Sequence, residues 1–407
     1  MSDIFSTLNV TPGPGWPDRF GAALREAISP PPIRTLSLFS GGGGLDIGFH
    51  DAGFGVGTMV EIDKRFAPTL EANSEFFGNP TVLNMDIRDF SPDQNEKIDF
   101  IIGGPPCNSF SACGKRDGGV RGTSDPRGML FQEYVRILET LRPSGFLFEN
   151  VPGLLGSKGG GDWKMIKAAF AEAGYSLFFR ILDAADYGVP QHRERVFIVG
   201  LSHGEFLFPR PTHGPDSPGK VPHFTAGEAI LDVELSLEDR DDLVKGIYGH
   251  LLPDIPPGLN YAFYTAKMGH PNPVFEWRTK FSYLLYKADP EMPVKTITAQ
   301  AGPYCGPFHW ENRYFSLAEV KRLQTFPDFY VMMGAKRVVR HQLGNSVPPQ
   351  MARMLALSIM QQVFGADLPF DLPLLPAGEE LSFKARKRGR TAEYQKKATE
   401  AINFSSM

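Results

Sequence analysis

From Ile33 to Leu201 short apolar runs alternate with stretches whose apolar residues recur at helical spacing, and this alternation restricts the fold more than any other feature. The runs Thr35–Phe39, Gly57–Val60, Val82–Leu83, Phe100–Ile102, Gly145–Val151, Ser176–Leu182 and Val196–Leu201 read as strands. Between them, Leu45–Ala52, Leu130–Leu141 and Trp163–Ala173 read as helices. The pattern predicts an α/β, doubly wound domain. Beyond Leu201 the rhythm stops. Residues 205 to 312, rich in Pro, His and aromatics, are expected to form a second, smaller, irregular, β-containing domain. Helix then resumes at Ser316, where Glu319 completes a capping box over Leu317–Thr325, and the last long helix runs from Pro349 to Phe364.

Length and composition set the outer bounds. At 407 residues the chain exceeds one small core. No apolar run is long enough to span a membrane, and the N-terminus lacks the basic start and apolar core of a signal peptide. Three cysteines, Cys107, Cys113 and Cys305, argue against a disulfide scaffold and for a reducing cytoplasm. A formal net charge of −4 means that a nucleic-acid partner would have to be met by a local basic face.

Residues suited to chemistry gather at the predicted strand ends, where open α/β sheets place their sites. After the first strand comes Ser40-Gly41-Gly42-Gly43-Gly44, a loop that can bring backbone N–H groups close to a ligand. The second strand ends in Glu61-Ile62-Asp63 and the third leads to Asp86-Ile87. Two acids beside a glycine loop suit a nucleoside, through its sugar and base amino group, and repel a phosphate. The fourth strand breaks into Gly103-Gly104-Pro105-Pro106, a stiff turn that presents Cys107. Residues 112 to 127 follow as a long polar loop with Lys115, Arg116 and Arg121, cations for phosphates or for solvent. Glu149 ends a strongly apolar strand, where an unpaired charge would be costly. Arg193 and Arg195 alternate on one face of an extended segment, suited to an anionic or carbonyl ligand or to an ion pair with Glu149 or Glu194.

Taken in order, these segments resemble the DNA (cytosine-5) methyltransferase family of bacterial restriction-modification type. Phe39-Ser-Gly-Gly-Gly-Gly-Leu-Asp is similar to its methyl-donor loop, Pro105-Pro-Cys107 to its nucleophile loop, and Glu149-Asn150-Val151 to its base-binding motif. Gln191-His-Arg193-Glu-Arg195 resembles the paired-arginine motif, Arg322-Leu-Gln-Thr-Phe-Pro327 the motif closing the recognition domain, and Gly344-Asn-Ser-Val-Pro the final one. The resemblance implies a Rossmann-like methyltransferase domain over 33–204, completed by 340–365, and a target-recognition domain over 205–339. Residues 1–32 are then an N-terminal extension and 366–407 a basic tail, read as disordered from Lys384 on.

The same resemblance implies the chemistry. The Cys107 thiolate would attack C6 of a flipped-out cytosine, so that C5 becomes nucleophilic enough to take a methyl group from S-adenosylmethionine. Glu149 would hold N3 and the exocyclic amine, and Arg195, with Arg193 behind it, the O2 side. The donor would lie on Phe39, Gly41, Gly43, Gly44 and Leu45, with Glu61 at its ribose, Asp86 and Ile87 at its adenine, and Ile62 as a further donor-binding residue. Pro106 and Leu130 would line that pocket, and Asn345 and Ser346 close it. Ser109, Ser111, Lys115 and Arg127 would meet duplex DNA, and no metal is called for. A restriction endonuclease would be a companion, not necessarily a contact, of a monomeric, cytoplasmic enzyme. Three other readings compete: the branch that methylates transfer RNA, an inert DNA-binding regulator, and a Rossmann oxidoreductase. The Cys-Phe-Thr tripeptide of the first is absent, and the intact Cys107, Glu149 and Arg195 speak against the second. Pro-Pro-Cys has no role in the third.

Overall fold

The computed structural model describes residues 4–11, 13–106, 130–278, 281–300, 302–382 and 396–401. Among the described residues nine strands are assigned in chain order: β1 (Ile33–Leu38), β2 (Phe54–Glu61), β3 (Thr81–Asn84), β4 (Phe100–Gly103), β5 (Gly145–Asn150), β6 (Ser176–Asp183), β7 (Gln191–His192), β8 (Glu194–Leu201) and β9 (Val294–Lys295). Seven form one sheet in the order β3-β2-β1-β4-β5-β8-β6. The first five are parallel, and β8 runs antiparallel between β5 and β6. Strands β4 and β5 are buried along their whole length, as expected where both faces of a parallel sheet are covered.

The helices are α1 (Ile4–Thr7), α2 (Trp16–Ala27), α3 (Gly44–Asp51), α4 (Ala67–Ala72), α5 (Leu130–Leu141), α6 (Gly161–Glu172), α7 (Ala226–Ile230), α8 (Leu237–Arg240), α9 (Leu317–Leu323), α10 (Lys336–Asn345) and α11 (Pro349–Phe364). Side chains alternate across the sheet and so feed two cores. Phe100, Ile102 and Leu147 pack with α2, α3 and α11; Leu36, Leu38, Ile101, Phe146 and Phe148 pack with α5 and α6. A third cluster, around Leu252, Phe263, Leu285 and Phe308, lies in the irregular region after Leu201. There the regular β structure is β9, which pairs in parallel with β7 and so joins that region to the paired-arginine segment. No described helix is long and apolar enough to cross a membrane.

The chain ends depart from their sequence reading. The N-terminal segment is not an appendage: Trp16, Phe20 and Leu24, one helical face of α2, are buried in the first core. Nor is everything after residue 365 a loose tail. Phe370, Leu372 and Leu375 are buried, Glu379 takes both terminal nitrogens of Arg210 at 2.7 Å, and Arg180 donates to the carbonyls of Pro376, Ala377 and Glu379. Residues 396–401 include a helical stretch in which Ala398 is buried in the third cluster and Lys397 pairs with Asp289. The Lys/Arg composition that suggested disorder says nothing of the apolar residues between the charges. The reading of Lys384–Arg390 as disordered lies outside the described residues.

Candidate active site

Strands β1, β2, β4 and β5 end at one edge of the sheet, and the predicted site residues lie there. The turn after β1 begins with Phe39 in the left-handed region (φ 57°), followed by Gly41 in the same region (φ 58°). A side chain at Gly41 would meet nothing nearer than the Phe39 carbonyl at 3.9 Å, so this stretch of backbone is open to a ligand. Gly43 and Gly44 are tight for another reason. The space of a side chain at Gly43 is taken by the Tyr330 hydroxyl, and at Gly44 by the Val347 carbonyl. Leu45 is buried behind them.

The Glu61 carboxylate, at the end of β2, accepts from Gly41 N at 2.7 Å and Asp63 N at 2.8 Å. Burial raises its pKa, and those N–H groups pull it back. Ile62 beside it is 60% exposed, an apolar surface at the mouth of the site. Asp86, after β3, is clasped by Arg88, which holds its pKa below the usual carboxylate range, and Ile87 is buried beneath. The Asn345-Ser346 turn abuts the loop: a side chain on Gly42 would lie 3.3 Å from Ser346 Oγ. Leu130 is half-buried at the start of α5.

The second half of the site lies past β4 and β5. Gly104 lies against Glu149, whose Oε2 would be 2.9 Å from a side chain there, and Asn150 Nδ2 donates to Pro105 O at 3.5 Å. The exposed Pro106 is the last described residue before Cys107. Cys107, Ser109, Ser111, Lys115 and Arg127 fall outside the described residues, as do Arg116 and Arg121. Arg195 Nε lies 2.9 Å from Glu149 Oε1, both side chains being mostly buried. Burial raises the Glu149 pKa; Arg195 and then Arg193 oppose that rise.

Arg193 has a different environment from Arg195. It is fully buried and donates to the carbonyls of Ile297 (3.3 Å), Gly344 (3.0 Å) and Asn345 (3.0 Å), tying together three distant segments. Its own backbone N–H donates to Asp183 Oδ1 at 2.9 Å, and Asp183 Oδ2 lies 2.8 Å from His192 Nδ1. Gln191 completes the frame, accepting from Ile297 N at 3.0 Å.

The chain matches the family described as C-5 cytosine-specific DNA methylase over residues 33–361. It belongs to that family. The Type II methyltransferase M.SacI of Streptomyces achromogenes is 35% identical over 369 residues, 81% of this chain and 93% of that protein. M.FnuDI of Fusobacterium nucleatum is 35% identical over 346 residues, 81% and 94% of the two chains. Among solved structures, a putative DNA modification methyltransferase encoded within an Escherichia coli prophage superposes with a TM-score of 0.57 at 24% identity, covering 82% of this chain and 99% of that one. The protein is thus an enzyme that methylates C5 of cytosine in duplex DNA from S-adenosylmethionine. The open backbone at Gly41 beside the Glu61 carboxylate fits that donor.

Three sets of residues have roles here that the sequence reading did not assign. Asp46, Tyr330 and Gln342 place polar atoms without hydrogen-bond partners in the buried interior behind the donor loop, among the described residues. Asp183 and Gln191 act as staples around Arg193. Helix α10 brings Lys336, Arg337, Arg340 and His341 to the surface beside the site. Its Lys-Arg-x-x-Arg-His spacing was the available signal.

Proposed function

We propose that Cys107, Glu149 and Arg195 carry out the cytosine chemistry, with Arg193 as the residue that positions Arg195. The observation that carries this reading is the buried Glu149 carboxyl, 2.9 Å from the Arg195 guanidinium, beside the turn that leads to Cys107. A carboxyl whose pKa is raised by burial keeps its proton to higher pH and can donate it toward N3 as negative charge builds there. Arg195 would stabilise the O2 side. Thiolate addition to C6 makes C5 an enamine carbon; methylation there, loss of the C5 proton and departure of Cys107 restore the ring. The donor supplies the methyl group as an electrophile. Glu61, Gly41 and Phe39 would hold it, with Ile62 beside Glu61, Asp86 and Ile87 at the adenine, and Asn345 and Ser346 across the loop. Gly43, Gly44, Leu45, Pro106 and Leu130 would complete that pocket.

The domain division fits the same reading: 33–204 with 340–365 for catalysis and 205–339 for target recognition, with DNA phosphates met in part by Ser109, Ser111, Lys115 and Arg127. A restriction endonuclease as companion and a monomeric cytoplasmic enzyme belong to it. The test is Cys107→Ser. With labelled donor, methyl transfer should vanish while donor binding by calorimetry stays intact. On duplex DNA carrying 5-fluorocytosine, where elimination is blocked, the native protein should form an adduct that survives denaturation. Activity retained in the variant, or no adduct, would sink the covalent reading.

A further inference from the structure

A cavity of about 580 Å³ opens between residues 297–300, 302 and 303 on one side and the first turns of α10 on the other. Its walls include Arg65, Lys336, Arg337, Arg340 and His341, a concentration of cations that the net charge of −4 does not suggest. Two of these charges are spent. Asp63 holds Arg65, and Asp239 and Asp242 hold Lys336. Arg340 is not neutralised in this way. Its guanidinium donates to the Phe315 carbonyl and lies 5.5 Å from the Tyr314 ring centroid, and among the described residues no carboxylate lies within ion-pair distance of it. Burial lowers its pKa, and Asp242, which also lines the cavity, Asp239 and Glu319 oppose that fall only from beyond contact distance. Arg337, exposed one helical turn earlier, likewise has no ion pair among the described residues.

One wall of the cavity is tied to the paired-arginine segment. Ile297 lines it, and the Ile297 carbonyl accepts from Arg193, two residues before Arg195. The far end of α10 is tied to the same Arg193 through the Asn345 carbonyl. We propose that this cavity seats a backbone phosphate of the DNA strand near the target nucleotide, between Arg337 and Arg340. The proposal rests on the site reading above and adds a contact to it. A phosphodiester oxygen would return to Arg340 the charge-assisted hydrogen bonds that its burial removed, and two guanidiniums suit the geometry of a phosphate.

The test uses the full-length enzyme, plasmid DNA and labelled donor, with Arg337→Gln and Arg340→Gln; Arg337, being exposed, puts folding least at risk. Each variant should raise the KM for DNA about tenfold. It should also flatten the dependence of log KM on log salt by about 1 unit. The kcat at saturating DNA should fall far less, and Arg337→Lys should recover much of the KM. Donor affinity by calorimetry should equal the wild-type value and so certify the fold. Inorganic phosphate at matched ionic strength separates the sources of the anion. Competition with DNA in the wild type that Arg337→Gln lacks supports the proposal. Phosphate binding with an unaltered KM for DNA in both variants assigns the cavity to free anion and overturns it. So does an unchanged salt slope in both variants. If the wild type itself forms no 5-fluorocytosine adduct, the underlying site reading fails instead.

Discussion

Two buried acids flank the edge of the sheet, and their surroundings give them different duties. Glu149 is raised by burial and restrained by two arginines, so its neutral form survives to higher pH than that of a free glutamate. If it donates to N3, kcat should be level below its pKa and fall as pH rises through it. Glu149→Gln should lose about 10²–10⁴ in kcat and lack that limb, with donor affinity unchanged; a variant with full kcat would remove Glu149 from the chemistry. Asp46 has no arginine in contact among the described residues. Neither of its oxygens has a well-formed hydrogen bond among the described residues, only the Ser37 hydroxyl and backbone dipoles offset its desolvation, and its pKa rises to about 6. Because the folded state binds this proton more tightly than the unfolded chain, stability is full below pH 4 and declines as pH rises from there to about 6. Asp46→Asn should therefore raise the unfolding free energy at pH 7.5 by up to about 3 kcal/mol and change little at pH 4, measured by urea titration at both. Sequence displayed Glu149 plainly, a charge closing an apolar strand. Asp46 closes the donor-loop motif, but nothing in Leu-Asp-Ile marks that carboxyl as fully buried.

The strands were legible for a physical reason: segments buried on both faces must be largely apolar, as β4 is throughout and β5 is as far as Phe148. The capping box at Ser316 was legible too, and both of its hydrogen bonds are present. Ser316→Ala should cost about 1 kcal/mol by denaturant titration, and a neutral result would show that Glu319 holds that turn alone, through Arg313. Helix α10 was missed because it is largely polar and runs into Gly344-Asn345-Ser346, a run that reads as a turn. What holds this helix is Arg193, through the carbonyls at its end. Arg193→Met leaves those carbonyls unpaired in a dry interior, about 1–3 kcal/mol for each that finds no water. The expected result is a lower urea midpoint together with a lower kcat. Loss of kcat without loss of stability would instead put Arg193 in the chemistry itself.

At the scale of the whole chain, the first and last helices of the catalytic unit lock on each other. Gly48 of α3 meets Ala352 and Pro349 of α11 at backbone distance, and Asp51 pairs with the fully buried Arg353. Arg25 of α2 reaches the same carboxylate, so the N-terminal segment joins this lock. Arg353→Met should cost about 3–5 kcal/mol by leaving a buried charge with one partner fewer, read as a fall in the urea midpoint. A stable Arg353→Met protein would mean that Arg25 suffices. The burial of Trp16, Phe20 and Leu24 went unread, because Pro and Gly dominate the composition around that helical face. A lock between the two ends of a chain also has a consequence in time. The ribosome delivers residues 33–204 well before α10 and α11, and until those helices emerge the Arg193 side chain lacks two of its three acceptors and the donor loop lacks its far wall. A chain that stops short of α10 and α11 is thus expected to be silent, and modifying activity to begin only once those two helices have emerged.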